Sequence, residues 1–96
     1  MFGSKKRQSK KLLEAVQDGD YDKVKNLLEK GSDIETVDQD GYTPLLSTNG
    51  NFEISKLLID NGANVNARSN DGKTPLMRVK GNIDIAKLLI EKGADV

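Results

Sequence analysis

The 96-residue chain predicts an all-α solenoid, in which helix–turn–helix units are stacked in a line and joined by hairpin-like turns. Two recurrences and the composition carry that expectation. The stretch Asp40-Gly41-Tyr42-Thr43-Pro44-Leu45 returns 31 residues later as Asp71-Gly72-Lys73-Thr74-Pro75-Leu76. Gly31, Gly62 and Gly93 keep the same step, as do Gly19, Gly50 and Gly81. Only 35% of residues are hydrophobic and there is no Trp, so no unit can bury its own apolar face and neighbours must cover it.

The elements follow in chain order. Residues 1–8 are expected to be a disordered basic leader, and a first unit spans 9–37. Near Ser9 the pattern becomes helical, with Leu12, Leu13, Ala15 and Val16 on one face until Gly19 breaks it. Asp20 then caps a second helix running to about Lys30. The same helix recurs after Asn51 and after Asn82, and each of these caps can accept from free backbone amides. Asp22, Glu53 and Asp84 place negative charge in the first turn, where the helix dipole favours it. Gly31, Gly62 and Gly93 close the three helices as left-handed caps. Units 38–68 and 69–96 each contain an Asp-Gly turn that leads, through a Thr cap and a Pro at the first helical position, into a short first helix.

Gly-x-Thr-Pro-Leu, followed by an amphipathic helix ending Leu-Leu-Ile-x-x-Gly-Ala-(Asn/Asp)-Val, resembles the ankyrin repeat over about residues 10–96. By that resemblance 9–37 is an amino-terminal capping repeat, and 38–68 and 69–96 are repeats with no carboxy-terminal cap. The register supports a polarity for the stack. Where the later units have Ile54 and Ile85 the first has Lys23, and where they have Leu57 and Leu88 it has Asn26. Those positions are expected to face the preceding unit, and the first unit has none to face. At the far end Leu89, Ile90 and Val96 are expected to form an uncovered apolar edge, closed by further repeats or by self-association. The 31-residue period falls two short of the family's 33 or so, between Leu45 and Gly50 and between Leu76 and Gly81. Two residues are about 200° of helix, which predicts shortened, partly 3₁₀ first helices in the second and third units. Leu46 and Met77 stand where the family usually has a histidine bonded to the threonine, so that link between repeats is expected to be lost.

Composition narrows the function. The chain has no Cys and no His, which removes cysteine nucleophiles, thiolate metal sites and the usual general base. No phosphate loop or metal-ligand cluster is present, and an enzyme or a cofactor is not expected. No apolar run reaches the roughly 18 residues of a membrane span and no signal peptide opens the chain, so a soluble cytoplasmic protein is expected. Net charge is zero, but Lys5, Lys6, Arg7, Lys10 and Lys11 fall within the first eleven residues and leave −5 on residues 12–96.

The leading expectation is a non-enzymatic scaffold that binds another protein. The resemblance implies a concave surface made of the turn tips Gln39, Asp40, Tyr42, Asn70, Asp71 and Lys73. The first helices add Leu46, Ser47, Asn49, Met77, Arg78 and Lys80 to it. Tyr42 is either an exposed anchor or packed against a neighbouring element, and Met77 is expected to fill core. The alternative is polyanion or nucleic-acid binding through Lys5, Lys6, Arg7, Lys10 and Lys11, although no aromatic residue interleaves with them to stack on bases. Asp38, Asp40 and Asp71 suggest a calcium loop at first sight. The twelfth position from Asp38 is Asn49 rather than a bidentate Glu, so turn formation is the expected role.

Overall fold

A computed structural model describes the backbone of residues 4–79 and 81–95, and side chains from Lys10 onward within that range. Among the described residues five α-helices occur in order: α1 (Ser4–Asp18), α2 (Tyr21–Glu29), α3 (Phe52–Asp60), α4 (Pro75–Arg78) and α5 (Ile83–Glu91), with a 3₁₀ helix at Leu45–Ser47 between α2 and α3. No strand occurs among the described residues. The stack is elongated, 40 × 27 × 21 Å, and α2, α3 and α5 pack side by side along it.

Helix α1 starts earlier than the leader expected over residues 1–8 allowed. Ser4 to Gln8 are helical, and residues 1–3 lie outside the described residues. The reason is local: Lys, Arg and Gln are good helix formers, and extending a nucleated helix gains one hydrogen bond per residue fixed.

The shortened first helices are present as expected. In the second unit the segment after Pro44 is the single 3₁₀ turn Leu45–Ser47, and in the third it is the four-residue α4, whereas α1 runs for 15 residues beside α2. Thr43 Oγ1 accepts from the Leu46 N–H at 3.3 Å, and Thr74 Oγ1 from the Met77 N–H at 3.4 Å. The second helices are capped alike. Asp20, Asn51 and Asn82 accept from the N–H groups of Lys23, Ile54 and Ile85 at 3.1, 3.0 and 3.1 Å. Replacing Asn51 by Ala leaves one of these donors without its acceptor. We expect a loss of about 1 kcal/mol, seen as a fall in Tm of roughly 4–8 °C.

One continuous core runs through the three units. Leu27, Leu58 and Leu89 hold the same register position and are 7%, 0% and 0% exposed, so each second helix turns that position inward. Leu89 therefore belongs to the core and not to the apolar edge expected at the far end. Met77, 65% exposed, joins that edge, and Ile90, 51% exposed, does lie on it as expected. Their counterparts in the second unit, Leu46 and Ile59, are 1% and 7% exposed because the third unit lies against them. Val96, also expected there, lies outside the described residues. At the opposite end the polarity is as expected. Lys23 and Asn26 are exposed, Ile54 and Ile85 are buried, and Leu57 and Leu88 pack partly buried against the core.

Candidate functional site

The turn tips are built by their own side chains. Asp38 Oδ1 accepts from the N–H groups of Asp40 and Tyr42 at 2.9 and 3.0 Å, and the Asp38 N–H donates to the Tyr42 carbonyl. One turn of the stack later Ser69 replaces Asp38: its Oγ accepts from the Lys73 N–H at 3.1 Å and its hydroxyl donates to Asp71. That donation holds the Asp71 carboxyl below the usual carboxylate range, with smaller contributions from Lys73 and Arg78. These carboxylates form turns, as expected, and none converges on a metal position. Among the described residues no group of three or more acidic side chains could hold an ion.

The two tips are joined by main chain. The Asn70 N–H donates to the Asp40 carbonyl at 2.9 Å, and Asn70 Nδ2 donates to the Gln39 carbonyl at 3.1 Å. Gly41 makes the approach feasible. A Cβ there would stand 2.8 Å from the Asn70 nitrogen, and its φ is +80°. Asn70 thus joins the units through two of its donors and remains exposed.

Polar links between units replace the histidine–threonine bond whose loss the resemblance implied. Arg78 Nε donates to the Leu46 carbonyl at 3.2 Å, and Asn82 Nδ2 to the Gly50 carbonyl at 3.2 Å. On the other side of the stack Glu35 accepts from the Asn64 N–H, and Asn66 accepts from Asp95 and donates to Gly93. The first answers a need created by the short helix. A helix end leaves carbonyls with no partner within the element, and here the next unit supplies the donor to Leu46. No buried side-chain polar atom among the described residues is left without a partner.

The expected contact residues divide. Gln39, Asp40, Asn49, Asp71, Lys73 and Met77 are exposed, and Tyr42 and Arg78 are half-buried. Leu46 and Ser47, 1% and 5% exposed, are not surface residues. The 3₁₀ turn has 3.0 residues per turn rather than 3.6, so its side chains do not follow the outward phase assumed from regular repeats, and both face the neighbouring unit. Met77, expected in the core, is exposed. Lys80 lies outside the described residues. Tyr42 and Arg78 meet each other: the Arg78 guanidinium carbon sits 4.7 Å from the centre of the Tyr42 ring. Of the basic residues at the start of the chain, Lys10 and Lys11 are exposed on α1, and the side chains of Lys5, Lys6 and Arg7 lie outside the described residues.

The sequence did not signal two features. The Arg78–Tyr42 contact joins residues 36 apart that are not in the same register column, so no recurrence marks it. Tyr21, Phe52 and Ile83, exposed by 38%, 37% and 67%, do share a column. Tyr21 and Phe52 line a depression between α2 and α3, beside a Lys56–Asp60 pair at 2.8 Å.

The family model described as Ankyrin repeats (3 copies) matches residues 12–96, nearly the whole chain. The chain belongs to the ankyrin repeat family. A search of curated proteins gave no match. Ankyrin repeats are generally protein–protein interaction modules and are typically non-enzymatic. No helix among the described residues of this ankyrin chain is long and apolar enough to cross a membrane.

Proposed function

We propose that the chain binds a partner protein along the edge formed by its turn tips, with Gln39, Asp40, Tyr42, Asp71 and Lys73 as the contacting residues. One observation carries the reading: Asn70, through its main-chain N–H to the Asp40 carbonyl and its side-chain amide to the Gln39 carbonyl, fixes the spacing of two adjacent tips and leaves Gln39, Asp40, Asp71 and Lys73 exposed. A surface ordered before the partner arrives loses little conformational entropy on binding. An aromatic ring such as Tyr42, supported from below by Arg78, adds contact area at small further cost.

The test is capture from source-cell lysate at two salt concentrations, with nuclease present. Three chains are compared: the unaltered one, the triple variant Gln39→Ala, Tyr42→Ala, Lys73→Ala, and the double variant Lys10→Gln, Lys11→Gln. The expected result is a discrete protein retained by the first and third and weakened by the triple variant about thirtyfold or more, the scale of one hot-spot residue. Retention that ignores the triple variant removes this reading. The alternative is polyanion binding through the basic end of α1. It predicts binding that follows Lys10 and Lys11 and falls steeply with salt. Charge substitution is the appropriate form of that test, because deleting residues 1–11 would remove part of a helix.

A further inference from the structure

Between the second and third repeats lies a cleft of about 370 Å³ lined by Asn49, Gly50, Arg78, Val79 and Asn82. We propose that this cleft recognises a carboxylate, the side chain of an Asp or Glu in the partner, through the Arg78 guanidinium. The proposal rests on the protein-binding reading above and names the chemistry that reading leaves open.

Arg78 is held in place before any ligand arrives. Its Nε is used on the Leu46 carbonyl, and its plane is supported by the Tyr42 ring. The two remaining amino groups carry the donors that an anion needs, and an arginine fixed at two points loses little rotamer entropy when it engages them. Among the described residues Arg78 forms no salt bridge, and Asp71 feels its charge only as a minor contribution. The ion pairs among those residues are Lys56–Asp60 and Lys73–Asp71. Half-burial raises the strength of any charge pair formed there above that of a fully exposed one.

The walls decide what kind of anion fits. Asn82 uses both polar atoms within the chain, its Oδ1 with the Ile85 N–H and one Nδ2 donor with the Gly50 carbonyl, so it is held in place as a wall. Asn49 is exposed at the rim, and its amide can add one neutral donor beside Arg78. Among the described lining residues, one cation, one neutral donor and the apolar Val79 suit a single carboxylate on a short aliphatic stem. A polyphosphate or nucleic-acid backbone needs several cations, and the nearby tips carry Asp40 and Asp71, which repel a long polyanion.

The probe is an acetylated, amidated pentapeptide, Gly-Leu-Glu-Leu-Gly, beside its Gln twin, titrated into the whole ¹⁵N-labelled chain. The expected result is saturable movement of the Arg78 Nε–H, Asn49 and Gly50 resonances with the Glu peptide, and binding about tenfold weaker with the Gln twin. Arg78→Gln, which keeps a donor for the Leu46 carbonyl, should erase the difference between the two peptides. Asn49→Gly, which the left-handed φ of +53° at that position accepts, should halve it or more with little change in Tm. Equal response to both peptides, or a response confined to Lys73 or to Lys10 and Lys11, overturns the proposal and makes Arg78 a clasp between repeats only. If that happens while lysate capture still depends on Gln39, Tyr42 and Lys73, the tip surface stands without this site. If both dependences fail, the edge is not the binding surface.

Discussion

Substituting Ala for Gly41 should cost about 2–4 kcal/mol, while the same change at Gly72 should cost about 1 kcal/mol. In Tm, the first is a fall of roughly 10–25 °C and the second roughly 4–8 °C, measured by circular dichroism on otherwise identical chains. Both glycines occupy the same place in the Asp-Gly turn, and both are left-handed, with φ of +80° and +82°. The penalty for placing a side chain in that region is therefore common to the pair. What differs is the neighbour. A Cβ on Gly41 would stand 2.8 Å from the Asn70 nitrogen and 2.9 Å from its Cγ, and the backbone atom cannot swing aside as a long side chain could. A Cβ on Gly72 would meet nothing within 4 Å. Relief of the Gly41 contact requires the second and third tips to separate, which breaks the Asn70 bonds to Asp40 and Gln39. Equal falls for the two variants would mean that the tips are not joined in solution.

That contrast also marks where the sequence was legible. Each turn and cap is encoded by residues within four positions of one another: Asp38 with Asp40 and Tyr42, Asn51 with Ile54, Asn82 with Ile85. Such elements can be read from a single repeat, and the 31-residue recurrence confirms them by repetition. The bonds that set one repeat against the next are different. They join residues 27 to 32 apart through amides and one guanidinium, side chains equally common on any solvated surface. Asn70 and Arg78 therefore read as free contact residues, when each is partly engaged within the chain. The period itself shows that two residues are missing, but not that Arg78 takes up the Leu46 carbonyl thereby released.

Burial errors had the same source. Leu46 and Ser47 fall on the surface only if the first helix keeps the α phase of regular repeats. The 3₁₀ turn does not keep it. Leu89 is apolar and near the far end, which suggests the edge, whereas its column mates Leu27 and Leu58 indicate an inward position. Of the candidate contact residues, the tips were legible because their exposure follows from turn geometry. The cleft at Arg78 was not, since it arises only when two units are in contact.

Exchanging the identities of one register column should produce the largest effect in the molecule. Lys23, Ile54 and Ile85 are equivalent, with Lys23 exposed and Ile54 and Ile85 at 0% and 3% exposure. Ile54→Lys removes a fully buried apolar side chain, a loss of about 2–5 kcal/mol by comparison with truncations at such sites. It also leaves an ammonium between the first and second repeats with no carboxylate identified to receive it, which adds several kcal/mol. A lysine can extend its stem to bring the charge to water, and that relief sets the only favourable term. It is the weaker one here, because Val24, Leu58 and Ile54 all lie in the same core and are fully buried, so the stem would displace packed atoms to reach solvent. Domains of this size hold about 5–15 kcal/mol in all, and an elongated stack with a limited core belongs near the low end. The expected outcome is loss of the cooperative thermal transition at 25 °C, with Tm lowered by more than about 20 °C if any transition remains. Lys23→Ile is the reciprocal change. It sits on a face that no repeat covers, so Tm should move by no more than about 2–4 °C, within the surface-substitution range of ±0.5 kcal/mol. Its effect should appear instead as concentration-dependent association in sedimentation, since it extends apolar surface on the first repeat. If Ile54→Lys folds with a near-normal Tm, the first and second repeats do not pack through this column, and the stacking polarity assigned to the chain is wrong.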